Sequence, residues 1–129
     1  MSDGVKPFAF HSSDIAANWH LIEPFLFDHY EWTAAGVRQA LESARAQCWG
    51  LLEDNQIKGI LITKTKGKVG ILWIASGRGL EPGLELLALV EQWMREKGCE
   101  FAQIEGRRGW GRVLKDYEEM ATVFLKRLQ

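Results

Sequence analysis

The stretch from Lys68 to Glu105 limits what this chain can fold into more than any other. An apolar run (KVGILWIA) is followed by a glycine-rich turn (SGRGLEPG), a long helical repeat (LELLALVEQWMREKG) and a second apolar run (CEFAQIE). Strand, turn, helix and strand in that order make a βαβ unit, and a single helical crossover requires the two strands to be parallel. The turn runs straight into the helix, whose first four N–H groups lack intrahelical partners, so a phosphate-bearing ligand suits this junction. Plain scaffolding is the alternative for such a unit. The compact segment GRRGWGRVLKDY follows, and the chain closes on a β-branched and aromatic run from Met120 to Leu128.

Composition sets the outer limits. With 129 residues, 47% of them hydrophobic, the chain is expected to form one domain over residues 1–129 around one core. Sixteen basic against seventeen acidic residues leave a net charge of −1, which excludes a global field that draws the protein to nucleic acid or an anionic membrane. Any binding patch must be local. Cys48 and Cys99 are each embedded in apolar, strand-like sequence, which fits two reduced, buried side chains and neither a disulfide nor a metal site. The N-terminal MSDGVKPFAF lacks a signal-peptide run, and no stretch approaches the roughly 18 apolar residues of a membrane span. A soluble, cytoplasmic protein is expected.

In chain order, Phe8 to His11 reads as an edge strand after Pro7. Ser12, Ser13 and Asp14 have the short side-chain oxygens of helix N-caps. Ile15, Trp19, Ile22, Leu26 and Tyr30 recur at spacings of four, three, four and four, one stripe of a helix that Pro24 is expected to break near Leu21 to Glu23. Thr33 caps a second predicted helix, with Val37, Leu41 and Ala44 inward and its end near Gln47. From Cys48 the period changes to that of strands: CWGLLE, QIKGILIT and KVGILWIA, joined by Asp54-Asn55 and a Lys/Thr/Gly turn, predict an antiparallel meander. The long helix carries Leu84, Leu87, Val90 and Met94 on one face, widened by Leu86, Leu89 and Trp93, and Gly98 is placed to end it. Gly109 to Lys115 predicts a short helix. The predicted order is β-α-α-β-β-β-α-β-α-β, an α/β (α+β) domain with a mixed, mostly antiparallel sheet flanked by helices.

That order resembles the GNAT (Gcn5-related N-acetyltransferase) superfamily. The run EQWMREKGCEFAQIEGRRGWGRVLKDYEE is similar, more specifically, to the C-terminal half of small GNAT-like proteins encoded by bacteriophages and prophages. The resemblance implies acetyl-CoA bound as substrate in a cleft where KVGILWIA and EFAQIE splay apart, with the pyrophosphate on the amides at the start of the long helix. It places Gly77, Arg78, Gly79 and Gly83 near that pyrophosphate. A backbone N–H around Trp73, Ile74 and Ala75 would face the thioester oxyanion. No metal is implied. The amine acceptor is left open, as are a second copy of the chain or a phage protein as partner; a phage-encoded protein would act in the host cytoplasm or the virion. A non-catalytic GNAT-fold phage or prophage component is the alternative function.

Two features depart from the superfamily pattern. The family turn runs Gln or Arg, two spacers, Gly, one spacer, Gly or Ala. Here Gly79 follows Arg78 immediately, Gly83 comes five residues after Arg78, and Glu81 brings an anion to the phosphate site, although Pro82 suits a first helical turn. Many members also carry a proton-donating tyrosine in the late short helix. If Asp116-Tyr117 stands for the family's terminal Gly-Phe pair, Arg112 occupies that tyrosine position, and an arginine stabilises an anion but does not give up its proton.

Arg107, Arg108 and Arg112 suit the 3′-phosphate of coenzyme A, with nucleic acid stacked on Trp110, or a solvated face paired with Glu100, Glu105 or Glu118, as the other readings; the near-zero net charge disfavours nucleic acid. Glu53, His29 and Glu105 are general-base candidates whose geometry sequence does not fix. His20 with Glu23 and Asp28 with His29 are too few ligands for a metal, since the three histidines lie nine residues apart. Ser12, Ser13 and Ser76 lack a nucleophile-elbow context. Of the six tryptophans, Trp19, Trp73 and Trp93 fall on apolar stripes and are expected in the core, with Trp32, Trp49 and Trp110 at a pocket or partner surface.

Overall fold

Apolar residues alternating between tight turns build a meander. The strands β1 (Lys6–Phe10), β2 (Ala46–Glu53), β3 (Gln56–Lys66) and β4 (Val69–Gly77) lie side by side in chain order, each antiparallel to the next. The computed structural model, which describes residues 6–26, 31–77, 84–104 and 126, adds β5 (Phe101–Ile104) beside β4 and parallel to it. The β2–β3 turn uses Asp54 and Asn55 at φ of 53° and 63°, the left-handed values that match a two-residue loop to the twist of its strands. The expected meander and the expected parallel β4–β5 pair are both present. The short helix over 109–115 and the strand over 120–128 lie outside the described residues, as do Tyr30 and the turn residues 78–83.

Between β1 and β2 run α1 (Ile15–Ile22) and α2 (Ala34–Glu42); α3 (Leu84–Glu96) makes the crossover from β4 to β5. Pro24 stops the first helix as expected: α1 ends at Ile22 and the chain tightens into a 3₁₀ turn over Glu23–Phe25. Thr33 caps α2, its Oγ1 accepting from Gly36 N at 3.1 Å. The Ser12-Ser13-Asp14 segment does not act as expected. It forms a 3₁₀ turn capped by the imidazole of His11, whose Nδ1 accepts from Ser13 N at 3.2 Å, and Asp14 makes no side-chain cap bond to α1.

The second helix also ends earlier than Gln47. Arg45 N donates to Ala40 O at 2.9 Å and Ala44 N to Leu41 O at 3.2 Å, a Schellman closure in which Ala44 takes φ +60° and faces solvent, not the core. The third helix closes in the same way with the expected glycine: Gly98 at φ +83° donates to Arg95 O, and Cys99 N to Met94 O.

Each face of the sheet has its own core. On one, α1 and α2 pack Ile15, Ile22, Val37 and Leu41 against Phe10, Cys48, Ile60, Ile62 and Ile74. On the other, Val90 and Met94 of α3 pack against Trp49, Leu51, Leu61 and Leu72. Gly70 permits that contact, because a Cβ there would lie 2.3 Å from Met94 Cγ. Cys48 and Cys99 belong to opposite faces and both are free thiols. Leu89, expected to widen the inward face of α3, is 37% exposed.

Most of the described tryptophans depart from the expectation, although Trp32, expected at a pocket, does line one. Trp49 and Trp32 are buried, whereas Trp19, Trp73 and Trp93 are only partly so. Burial of Trp49 is made possible by a partner for its indole N–H, Thr63 Oγ1 at 3.1 Å, while the Trp19 indole reaches the surface and donates to Glu23 Oε2 at 2.9 Å. Among the described residues no helix is long and apolar enough to cross a membrane.

Candidate functional site

A break in the β3–β4 ladder lies at the centre of the site. Ile62 pairs with Ile74 and Thr63 with Leu72, so Trp73 is an extra residue on β4, a β-bulge. Strand side chains normally alternate between faces. Here Leu72 joins the α3 core, Trp73 and Ile74 both turn to the α1–α2 side, and Ala75 returns to the α3 side. The described pairs of the parallel ladder to β5 run from Val69 with Phe101 to Leu72 with Ile104, while β4 runs on through Gly77 with described partners on β3. From Trp73 onward, the edge of β4 that faces away from β3 has no described strand beside it.

Gly77 closes this segment under tight constraint. Its φ is +102°, and a Cβ there would lie 2.4 Å from Lys58 O and 2.5 Å from the Cα of Gly59. No other residue fits without moving the β3 backbone, so the exit from β4 toward α3 is set by a bare backbone. Of the residues expected at the site, Trp73, Ile74, Ala75 and Gly77 therefore come together on one five-residue stretch of β4. Arg78, Gly79, Gly83, Arg108 and Arg112 lie outside the described residues, as do Arg107, Trp110, Glu81, Pro82, His29 and Glu105. Glu53 is described, and it ends β2 at the same end of the sheet as Gly77.

The Trp73 side chain borders a second space. An open cleft of ≈ 610 Å³ lies on the α2 side, lined among others by Glu31, Trp32, Thr33, Arg45, Lys64 and Trp73. Lys64 Nζ stands 4.1 Å from the centroid of the Trp73 ring, a cation–π contact. Arg45, placed by the left-handed turn at Ala44, donates through Nε to Ser43 Oγ at 2.8 Å. No described carboxylate lies within 4.0 Å of Arg45 or Lys64 in an ion pair; the pairs among the described residues are Arg38–Glu42, Lys68–Glu100 and Arg95–Glu91.

Sequence reasoning missed this cleft. A signal for Lys64 exists, since Ile60 and Ile62 face the α1–α2 core and period-two alternation puts Lys64 on that same face. Arg45 has no such signal, because its position depends on where α2 ends. Among the described residues no three His, Cys, Asp or Glu side chains converge as metal ligands would.

The architecture of four antiparallel strands, a bulged fourth strand and a parallel fifth reached through α3 is a GNAT fold. It matches solved N-acetyltransferases over nearly the whole chain. An aminoglycoside acetyltransferase from an uncultured soil metagenomic sample, in complex with sisomicin, is 14% identical with a TM-score of 0.68, covering 97% of each chain. The aminoglycoside acetyltransferase AAC(6')-Iy, in complex with a CoA bisubstrate analogue, is 14% identical with a TM-score of 0.67, covering 98% of this chain and 99% of its own. Glucosamine-6-phosphate N-acetyltransferase from Arabidopsis thaliana is 12% identical with a TM-score of 0.65, covering 98% of this chain and all (100%) of its own. No protein-family profile matches the sequence, and a comparison with curated proteins returns no match.

Proposed function

We propose that the chain is a single GNAT-like domain acting as an acyl-CoA-dependent N-acyltransferase, moving an acetyl group from acetyl-CoA to an amine. The observation that carries this reading is the β-bulge at Trp73, on the strand that pairs in parallel with β5, within a fold shared with CoA-bound acetyltransferases. A bulge takes a residue out of the regular ladder and re-aims its backbone groups, which can then serve a ligand. The likeness to CoA-bound acetyltransferases supports the choice of donor.

In this proposal a backbone N–H within Trp73–Ala75 points at the thioester oxygen and stabilises the charge that develops there. The amine nitrogen attacks the carbonyl carbon, the carbon–sulfur bond breaks, and coenzyme A leaves as the thiol with the proton the amine gives up. Holding amine and thioester in one geometry supplies much of the rate, because a bimolecular encounter becomes effectively unimolecular. Gly77, Arg78, Gly79 and Gly83 take the pyrophosphate, and Arg108 takes the 3′-phosphate. Arg112 in the tyrosine position holds an anion and does not protonate the thiolate. The two free thiols fit a reducing, cytoplasmic setting. The phage or prophage likeness draws on the C-terminal segment and is neither strengthened nor weakened by the three neighbours.

Coenzyme A titration tests the reading. A ligand that binds only the folded state stabilises it by RT ln(1 + [L]/Kd), so about a hundredfold excess over Kd is expected to add roughly 2.7 kcal/mol, read as a rise in Tm. Thiol release from acetyl-CoA across a panel of amines then separates turnover from binding. A shift without thiol release points to the non-catalytic GNAT-fold binding protein, and no shift at millimolar coenzyme A overturns the acyltransferase.

A further inference from the structure

The cleft beside Trp73 carries an inference that rests on the acyltransferase reading and narrows its substrate. Trp73 belongs to two places at once: its backbone forms the β4 bulge and its side chain lines the cleft on the α2 side. A molecule seated in the cleft is therefore next to the backbone to which the acyl carbonyl is assigned, on the face of the sheet opposite α3.

The charges in the cleft decide what fits. Its described ionisable lining is Glu31, Arg45 and Lys64, two cations against one carboxylate, or a local +1 in a chain whose net charge is −1. Lys64 stands over the Trp73 ring, so the aromatic face that would otherwise attract an ammonium already holds one. A second cation brought there meets like charge at short range. Arg45 has its Nε on Ser43 and no described carboxylate partner, so its guanidinium has N–H donors to spare for an anion. The Thr33 hydroxyl accepts from Gly36 N and keeps its own proton to donate.

We propose that the cleft selects an acceptor amine that also bears a phosphate or carboxylate, with Arg45 and Lys64 holding the anionic group, and that it disfavours polycationic amines. The test uses the full chain and two matched pairs, each sharing an amine and differing in one anionic group: glucosamine 6-phosphate against glucosamine, and leucine against leucinamide. Calorimetric titration is expected to give the anionic member of at least one pair a Kd lower by about tenfold or more, the range of a charge-assisted hydrogen bond. The pair that shows the preference tells phosphate from carboxylate.

In Lys64→Ala and Arg45→Ala the ratio is expected to fall toward one, and Arg45→Lys is expected to keep most of it. Circular dichroism of each variant confirms that the fold persists, as the sites are solvent-accessible. Equal affinity within both pairs, tighter binding of an aminoglycoside than of any of the four probes, or no binding by any of them overturns the proposal. Coenzyme A is titrated separately into the same samples. A charge preference without coenzyme A binding would remove the acyltransferase reading alone, and coenzyme A binding without a charge preference would remove only the present inference.

Discussion

The indole Nε1 of Trp49 donates to Thr63 Oγ1 at 3.1 Å across β2 and β3, with both side chains buried. Trp49 is paired with Leu61, so the bond reaches two residues along the neighbouring strand on the α3 face. Thr63→Val keeps the shape and removes the acceptor, leaving a buried N–H unpaired. A loss of about 1–3 kcal/mol is expected by urea denaturation. Trp49→Phe added to Thr63→Val is expected to cost less than the sum of the two, because it removes the orphaned donor.

Gly77→Ala separates the site from the general stability of the sheet. The left-handed φ alone is expected to cost about 1–3 kcal/mol, with the 2.4 Å approach to Lys58 O adding to it. The variant is expected to lose coenzyme A affinity by more than Gly67→Ala, which changes another positive-φ glycine in open space in the distant β3–β4 turn. Equal affinities in the two variants would detach Gly77 from ligand binding.

Ala44→Gly tests the end of α2 in the opposite direction. A left-handed alanine is strained by roughly 1–2 kcal/mol, and glycine removes the strain while adding disorder to the unfolded chain. The net effect expected is a stabilisation of at most about 1 kcal/mol in thermal unfolding. A clear destabilisation would mean that the α2 closure does not demand this conformation.

Burial pushes the Cys48 thiol up to about 12, from 9.0 for a free thiol. The neutral thiol is therefore favoured in the folded state: the contribution is fully present below pH 9 and is lost as pH rises through 12, since the unfolded chain ionises first. At pH 8, iodoacetamide is expected to modify the partly exposed Cys99 well before Cys48, with the second adduct appearing only on unfolding. Mass spectrometry of tryptic peptides reads the order directly. Modification of Cys48 first would contradict its placement.

Local signals carried most of the fold. The meander and the βαβ unit are legible because Asp54-Asn55, Gly67 and Gly98 mark their own turns and the apolar period shifts between them. Three features were not legible, each for a different reason. Ala44 takes a conformation that its residue type does not announce. The bulge at Trp73 is a matter of register between two strands and is hidden within the unbroken apolar run ILWIA. Burial of Trp49 depends on Thr63, fourteen residues away, whereas Trp19 and Trp93 sit on apolar stripes of helices whose outer edges are open. The candidate site divides in the same way, with its β4 half read from the glycine turn and its α2 half visible only once Arg45, Lys64 and Trp73 share a cleft.

The ordering of the sheet has a kinetic consequence. The strands β2, β3 and β4 are joined by short turns, so their pairings close small loops and can form within microseconds, whereas β5 reaches β4 only after residues 78–100 have been threaded into a crossover. The β4–β5 pairing is thus expected to form late on the way in and to open early on the way out, with the amides of β5 exchanging faster than those of β3 in native-state hydrogen exchange. Interactions made after the transition state slow unfolding without hastening folding. A ligand held beside β4 beyond Leu72 would then act as a latch, prolonging the life of the native state while leaving the speed at which the chain first folds unchanged.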